Sequence, residues 1–151
     1  MSDRQALIGI VEAAYAAFAA RRSQDLLPLC AAGCLWQAPG LPNLMPWAGR
    51  HHGHAGVLEF LGQLDEHLDF LAFEARSLVV DVEQGQVMAL GVGRCRVKST
   101  GRLYVNHWAH LFTLRDGLIT AFREYPDTAA QLVAIHPALA DLDPQQESLH
   151  D

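Results

Sequence analysis

The chain has 151 residues, 50% of them hydrophobic and 19% charged, with a formal net charge of −6. That length suits one domain that buries its own core without a metal or disulfide staple, and the composition excludes a disordered chain. Lys98 is the only lysine and the arginines are scattered, which argues against nucleic-acid binding, since that needs clustered positive charge.

Taken in chain order, Leu7, Ile8, Val11, Ala14, Tyr15 and Phe18 recur at three- and four-residue spacing, the stripe of an amphipathic helix running from about Asp3 to Arg22. Ser23 fits an N-cap for a short second helix carrying Leu26, Leu27 and Leu29. Cys34 to Ala38 reads as a short strand, and Pro39-Gly40, Pro42-Asn43 and Pro46 end it in an irregular loop through about Gly53. Val57, Phe60, Leu61, Leu64 and Leu68 mark a third helix, from about His54 to His67.

Four strands follow, Phe70–Val82, Gln86–Lys98, Arg102–Leu114 and Leu118–Tyr125. Their connections, Glu83-Gln84-Gly85, Ser99-Thr100-Gly101 and Asp116-Gly117, are too short for parallel crossovers and predict an antiparallel meander. Asp127 is positioned as the N-cap of a last helix from Thr128 to about Ile135. Residues 1–136 form the domain, and the acidic, proline-containing tail 137–151 is expected to be loose.

Helices first and a long sheet afterwards predict an α+β fold: a cone-shaped, curved antiparallel sheet wrapped around N-terminal helices. Gly91 and Gly93 share one face of a strand, where glycine marks a bend or a close approach. The outer face carries Met88, Leu90, Val92, Val105, Ala109 and Leu111, an apolar patch that predicts a homodimer. No apolar run approaches the ~20 residues of a membrane span. Asp3, Arg4 and Arg21-Arg22 bracket the first helix in a pattern unlike a signal peptide. A cytoplasmic protein with no membrane partner is the expectation. Cys30, Cys34 and Cys95 are odd in number and read as reduced thiols in or near the core.

The chemistry concentrates between Arg102 and Asp127. Tyr104, Asn106, Trp108, His110 and Phe112 alternate onto one face of a strand. Polar groups among aromatics on a concave face suggest a pocket for a small hydrophobic molecule. His110 is the leading catalytic candidate, because imidazole is easily tuned to exchange protons near neutral pH. Glu124 is its natural partner if the Asp116-Gly117 turn carries a bulged Gly117, which places Glu124 opposite Trp108 and diagonal to His110. A two-residue hairpin would instead turn Arg123 inward and Glu124 out.

Trp36, Trp108, Phe112, Phe122 and Tyr15 form either the apolar wall of the pocket or simply core, and Asn106 offers an amide to orient a carbonyl. Trp47 sits in the proline-rich loop, as a lid or an exposed loop residue. His51, His52 and His54 match no compact zinc spacing and read as a solvated loop. Gly91-Val92-Gly93 is too short for a dinucleotide fingerprint and precedes no helix. Neither metal nor cofactor is expected.

WQAP (Trp36–Pro39), LPNLMPWAGRHHGHAGVLEFL (Leu41–Leu61), NHWAHLF (Asn106–Phe112) and LRDGLITAFREYPDTA (Leu114–Ala129), with the order of elements, make the chain resemble the SnoaL-like branch of the nuclear transport factor 2-like superfamily. The resemblance covers about Ala6 to Ile135 and implies the cone fold shared by ketosteroid isomerases, polyketide cyclases and limonene epoxide hydrolases. In ketosteroid isomerases a carboxylate base precedes a proline after the first strand; that position here is Ala38. Their second acid, two residues before a Phe, falls at His110, and the first-helix tyrosine at Tyr15 or its neighbour Ala14. The known steroid isomerase mechanism is therefore not expected. The resemblance implies an isomerase, cyclase or hydrolase type of enzyme, a binding module without chemistry, or a protein-interaction domain. In the enzyme reading His110 is general acid or base, Glu124 orients it, and Tyr15 or Asn106 stabilises charge on oxygen.

Overall fold

A computed structural model describes residues 2–143 and 145. Helix α1 spans Asp3–Ala19, opened by a capping box in which the Ser2 hydroxyl accepts from the Gln5 backbone and the Gln5 side chain accepts from the Ser2 N–H. It ends short of Arg22 because Arg21 is left-handed, with φ 56°, a conformation that terminates a helix. Helix α2 is one turn, Ser23–Leu26, continued as a tight 3₁₀ turn over Leu27–Leu29. Ser23 lies inside that turn rather than capping it, and Arg22 stands at the cap position without a side-chain capping bond among the described residues.

The sheet has six strands: β1 Cys30–Ala38, β2 Gly49–His52, β3 Leu68–Asp81, β4 Gln86–Val97, β5 Leu103–Arg115 and β6 Leu118–Tyr125. Helix α3, Gly53–His67, separates β2 from β3, and α4, Thr128–Ile135, follows β6. The spatial order is β2-β1-β6-β5-β4-β3. The last four strands form the antiparallel meander expected from their short connections. The exception is β1, which lies parallel to β6. That pairing extends β1 back to Cys30, opposite Ile119, across an irregularity before Leu35. The proline-rich loop likewise contains a strand, because β2 pairs antiparallel with β1 from Leu35↔His52 to Ala38↔Gly49.

The sheet is curved and unclosed. Strand β3 carries register shifts at Phe70/Ala72 and Ala75/Ser77, and such bulges increase local bend and twist. Helix α1 packs against β3 and β4, and α3 against β1 and β2, so both cover the concave face. Leu90 and Val79 on the outer side are 43% and 60% exposed.

Asp127 caps α4 as expected, its carboxylate accepting from the Ala130 N–H. The chain beyond Pro137 departs from expectation over its described part. Pro137–Leu142 is a 3₁₀ turn, Asp143 pairs with Arg102 at 3.0 Å in a mostly buried setting, and Gln145 bonds the backbone N–H and carbonyl of Val105. The physical reason is an edge: β6 reaches only as far as Ala109 along β5, leaving the backbone before it to be satisfied by other groups. The rest of the expected loose tail, 144 and 146–151, lies outside the described residues. No described helix is long and apolar enough to cross a membrane.

Candidate functional site

The site depends on the register between β5 and β6. Asp116 and Gly117 have φ 52° and 78°, the two left-handed residues of a type I′ hairpin turn. The turn joins Arg115↔Leu118 and Leu114↔Ile119. Continued regularly, that register would bring Arg123 inward. Instead the next pair is Thr113↔Ala121, so Thr120 is an extra residue on β6, its hydroxyl donating to the Thr113 carbonyl at 3.1 Å. This bulge shifts all later residues by one, and His110 faces Glu124 directly while Phe112 faces Phe122. Two expectations need correcting: the turn is the two-residue form, yet Glu124 points inward, and its partner across the strands is His110 rather than Trp108.

Inside the cone is a chamber of about 70 Å³ whose lining includes Tyr15, Trp36, Asn106, His110, Phe112, Phe122 and Glu124. The Tyr15 hydroxyl and His110 Nδ1 share a hydrogen bond of 2.8 Å, which joins α1 to β5 across the cone. Trp36 stacks on Phe122 with ring centroids 4.3 Å apart. Trp108 stands behind the wall. Its ring stacks on His110 at 3.9 Å and on Phe73 at 4.9 Å, and it is not part of the lining. Gly91 permits this stack, because a Cβ there would lie 2.2 Å from Trp108 Cζ2 and 2.3 Å from the Glu74 carbonyl oxygen. A bend or a close approach was expected at the glycines, and Gly91 supplies the close approach.

Burial sets the proton affinities. His110 is 7% exposed, and loss of hydration holds its imidazole down at about 3, so the ring is neutral at physiological pH. Burial, and then the nearby Glu124 charge, push the Tyr15 hydroxyl well above its usual range. Glu124, also 7% exposed, is pushed up to about 7 by burial. Among the described residues no hydrogen bond or ion pair engages its carboxyl, and the His110 bond goes to Tyr15. The expected His–Glu dyad is therefore a Tyr–His pair with a carboxyl beside it, because α1 brings a hydroxyl within reach of Nδ1 before β6 can.

Tyr104, expected on the pocket-facing side of β5, and Gln131, to which the sequence assigned no role, also line the chamber. The Tyr104 hydroxyl lies near the Cys95 thiol and the Gln131 amide, yet among the described residues neither it nor Gln131 Oε1 completes a hydrogen bond of normal geometry. Buried polar atoms in that state fit a polar group brought by a ligand or water. Tyr104 was legible from the alternation of its strand. Gln131 left one signal, a lone amide in the apolar run of α4.

Asn106 is partly occupied, since its Oδ1 accepts the Asp127 N–H at 2.8 Å and anchors the start of α4. Its NH₂ is what it can offer a ligand. Trp47 is not a lid. It is 1% exposed and absent from the chamber lining, because Met45, Trp47 and Ala48 turn inward and join the core. The histidine loop is more ordered than a solvated one. His51 is buried and its Nε2–H donates to the Trp47 carbonyl at 2.8 Å, while His54 Nε2–H donates to the Cys30 carbonyl at 2.9 Å. Among the described residues no group of three or more His, Cys, Asp or Glu could hold a metal ion. All three cysteines are buried free thiols.

Comparison with known proteins places this geometry in a family. No curated protein matches the chain. A nuclear transport factor 2-like protein from Burkholderia xenovorans LB400 is 30% identical, over 88% of this chain and 98% of that one, with a TM-score of 0.79. A second such protein, from Burkholderia pseudomallei K96243, superposes with a TM-score of 0.79 at 22% identity, covering 89% of this chain and 98% of its own. TerC, co-crystallized with polyporic acid, gives a TM-score of 0.77 at 24% identity over 86% of this chain and 98% of its own. The profile of the SnoaL-like domain matches residues 11–122. The chain thus belongs to the SnoaL-like domain family, with the nuclear transport factor 2-like fold.

Proposed function

We propose that the protein is an enzyme that moves protons on a small hydrophobic compound bearing a carbonyl or an oxygenated ring. The reading rests above all on the 2.8 Å Tyr15–His110 hydrogen bond beside an inward Glu124 in an aromatic chamber. A carboxyl whose proton affinity sits at about 7 is matched to proton transfer at neutral pH. Glu124 therefore takes or gives the substrate proton, and His110, too weakly basic for that task, takes the supporting part. This reverses the roles expected from the sequence.

The Tyr15–His110 pair supplies the complementary chemistry in either tautomer. If Tyr15 donates to Nδ1, the imidazole carries its proton on Nε2; if Nδ1–H donates, the Tyr15 O–H is released. One donor remains in each case for an oxygen on which negative charge develops, and in a dry site that is a large stabilisation. Abstraction of a proton next to a carbonyl, leading to isomerisation or ring closure, suits this arrangement, and so does hydration. TerC was co-crystallized with polyporic acid; for this chain the ligand class follows from its own aromatic and polar lining.

A second reading, a ligand carrier without turnover, is favoured by Ala38, which stands buried at the position where ketosteroid isomerases hold their base. A panel of enones, β-diketones and phenolic ketones, followed by product analysis, separates the two. Glu124→Gln and Tyr15→Phe are expected to slow conversion by about 10²–10⁴-fold each. Variants that turn over at the wild-type rate, or compounds that bind and are recovered unchanged, would remove the enzymatic reading.

A further inference from the structure

Beside the chamber that holds His110 lies a second, outer cleft of about 500 Å³ between the end of α1, α3 and β3. The inner chamber, at about 70 Å³, is several-fold smaller than the roughly 300–1,000 Å³ typical of small-molecule sites, whereas the outer cleft falls within that range. The chemistry and the room are therefore in different compartments. They share walls: Phe18, Leu26, Leu61, Leu64, Phe70 and Phe73 border both. Three of these rings form one cluster, with centroids 5.4 Å apart for Phe18–Phe70, 5.1 Å for Phe18–Phe73 and 6.3 Å for Phe70–Phe73. All three are only partly buried, so side-chain rotation can widen the passage without unfolding the core.

The two compartments differ in character. The inner one carries the orphaned Tyr104 hydroxyl and Gln131 Oε1 together with Glu124. The outer one adds Leu58, Leu71 and Ala72, with charge confined to its rim, where Arg21 in the turn after α1 pairs with Asp65 of α3 and Arg22 pairs with Asp25. We infer that the chamber and the cleft are one bipartite site for an amphiphilic ligand. An oxygenated ring or carbonyl head reaches Glu124 and His110, and an apolar tail several carbons long lies in the outer cleft past the Phe18–Phe70–Phe73 rings. This deepens the reading above and rests on the inner chamber being the reacting end.

Gly62 provides the test. It lines the outer cleft, and a Cβ added there meets nothing within 4 Å among the described residues, so the fold leaves room for a larger side chain at the cleft wall. Phenol, 4-ethylphenol, 4-butylphenol and 4-hexylphenol are titrated into the full chain by calorimetry, with the His110 ring resonances followed by NMR. Each methylene that enters the cleft is expected to tighten binding about three- to fourfold, while phenol shifts the His110 signals. In Gly62→Trp the ratio of 4-hexylphenol to phenol affinity should collapse to within about threefold of unity, with Gly62→Leu intermediate and thermal melts reporting that both variants fold. Equal affinities for phenol and 4-hexylphenol in the wild type would overturn the bipartite site. So would a chain-length dependence that survives both substitutions. Phenol binding that leaves the His110 ring unmoved would fail the inner-chamber reading itself, and this inference with it.

Discussion

Replacing Glu124 by glutamine should reveal how strongly the fold opposes a charge at that position. The carboxyl is pushed from its ordinary 4.5 up to about 7 by burial. Between those values the unfolded chain has released the proton while the folded chain still holds it, so unfolding becomes easier as pH rises. The stability tied to the neutral carboxyl is complete below pH 4.5 and lost by the time pH passes 7. A displacement of that size corresponds to roughly 3 kcal/mol. His110 acts in the opposite sense: its depressed value of about 3 means stability is lost as pH falls below its ordinary 6.5. The two slopes nearly offset between pH 4.5 and 6.5, so the wild-type curve alone is flat there and the difference curve carries the information. Urea unfolding of the wild type and Glu124→Gln at pH 4.5, 6 and 8 should show the glutamine variant gaining roughly 3 kcal/mol relative to wild type between the lowest and highest pH. A difference that stays constant with pH would refute the account of Glu124 as a buried carboxyl with no partner among the described residues.

Gly91→Ala should cost about 1–3 kcal/mol and move the His110 ring resonances, since the added methyl meets Trp108 and the immobile Glu74 carbonyl; unchanged melting and an unchanged histidine spectrum would show that the Phe73–Trp108–His110 stack is not held by β4. The exposed outer sheet face is proposed to pair with a second copy of the chain. Leu90→Asp should then shift sedimentation from dimer to monomer at micromolar concentration while circular dichroism stays the same, and a wild type that sediments as a monomer would end that proposal.

Much of the architecture was legible in local sequence. The helical stripe of α1, the apolar spacing of α3 and the short connections of the meander each follow from periodicity and turn length, which act within a few residues. Elements whose existence depends on a distant partner were missed or cut short. Strand β2 forms only because β1 lies beside it, and β1 extends to Cys30 only because Ile119 sits opposite. Trp47 looked like a loop residue because prolines surround it, yet its burial comes from where Met45 and Ala48 can reach the core.

The candidate site divides in the same way. Alternation along Tyr104–Phe112 was sufficient to say which face of β5 looks into the cone, since parity on a strand is a local property. The facing of Glu124 was not local. It depends on one inserted residue, Thr120, whose bulge reverses the parity that the Asp116-Gly117 turn would otherwise impose. The partner of His110 is decided by how α1 crosses the sheet, which brings Tyr15 from 95 positions away to 2.8 Å. Sequence alone determined the helical stripes, the four-stranded meander and the inward face of β5, because backbone geometry fixes these over short distances. Only the tertiary structure decided which side chains meet, because that depends on register and crossing geometry set by packing across the whole cone.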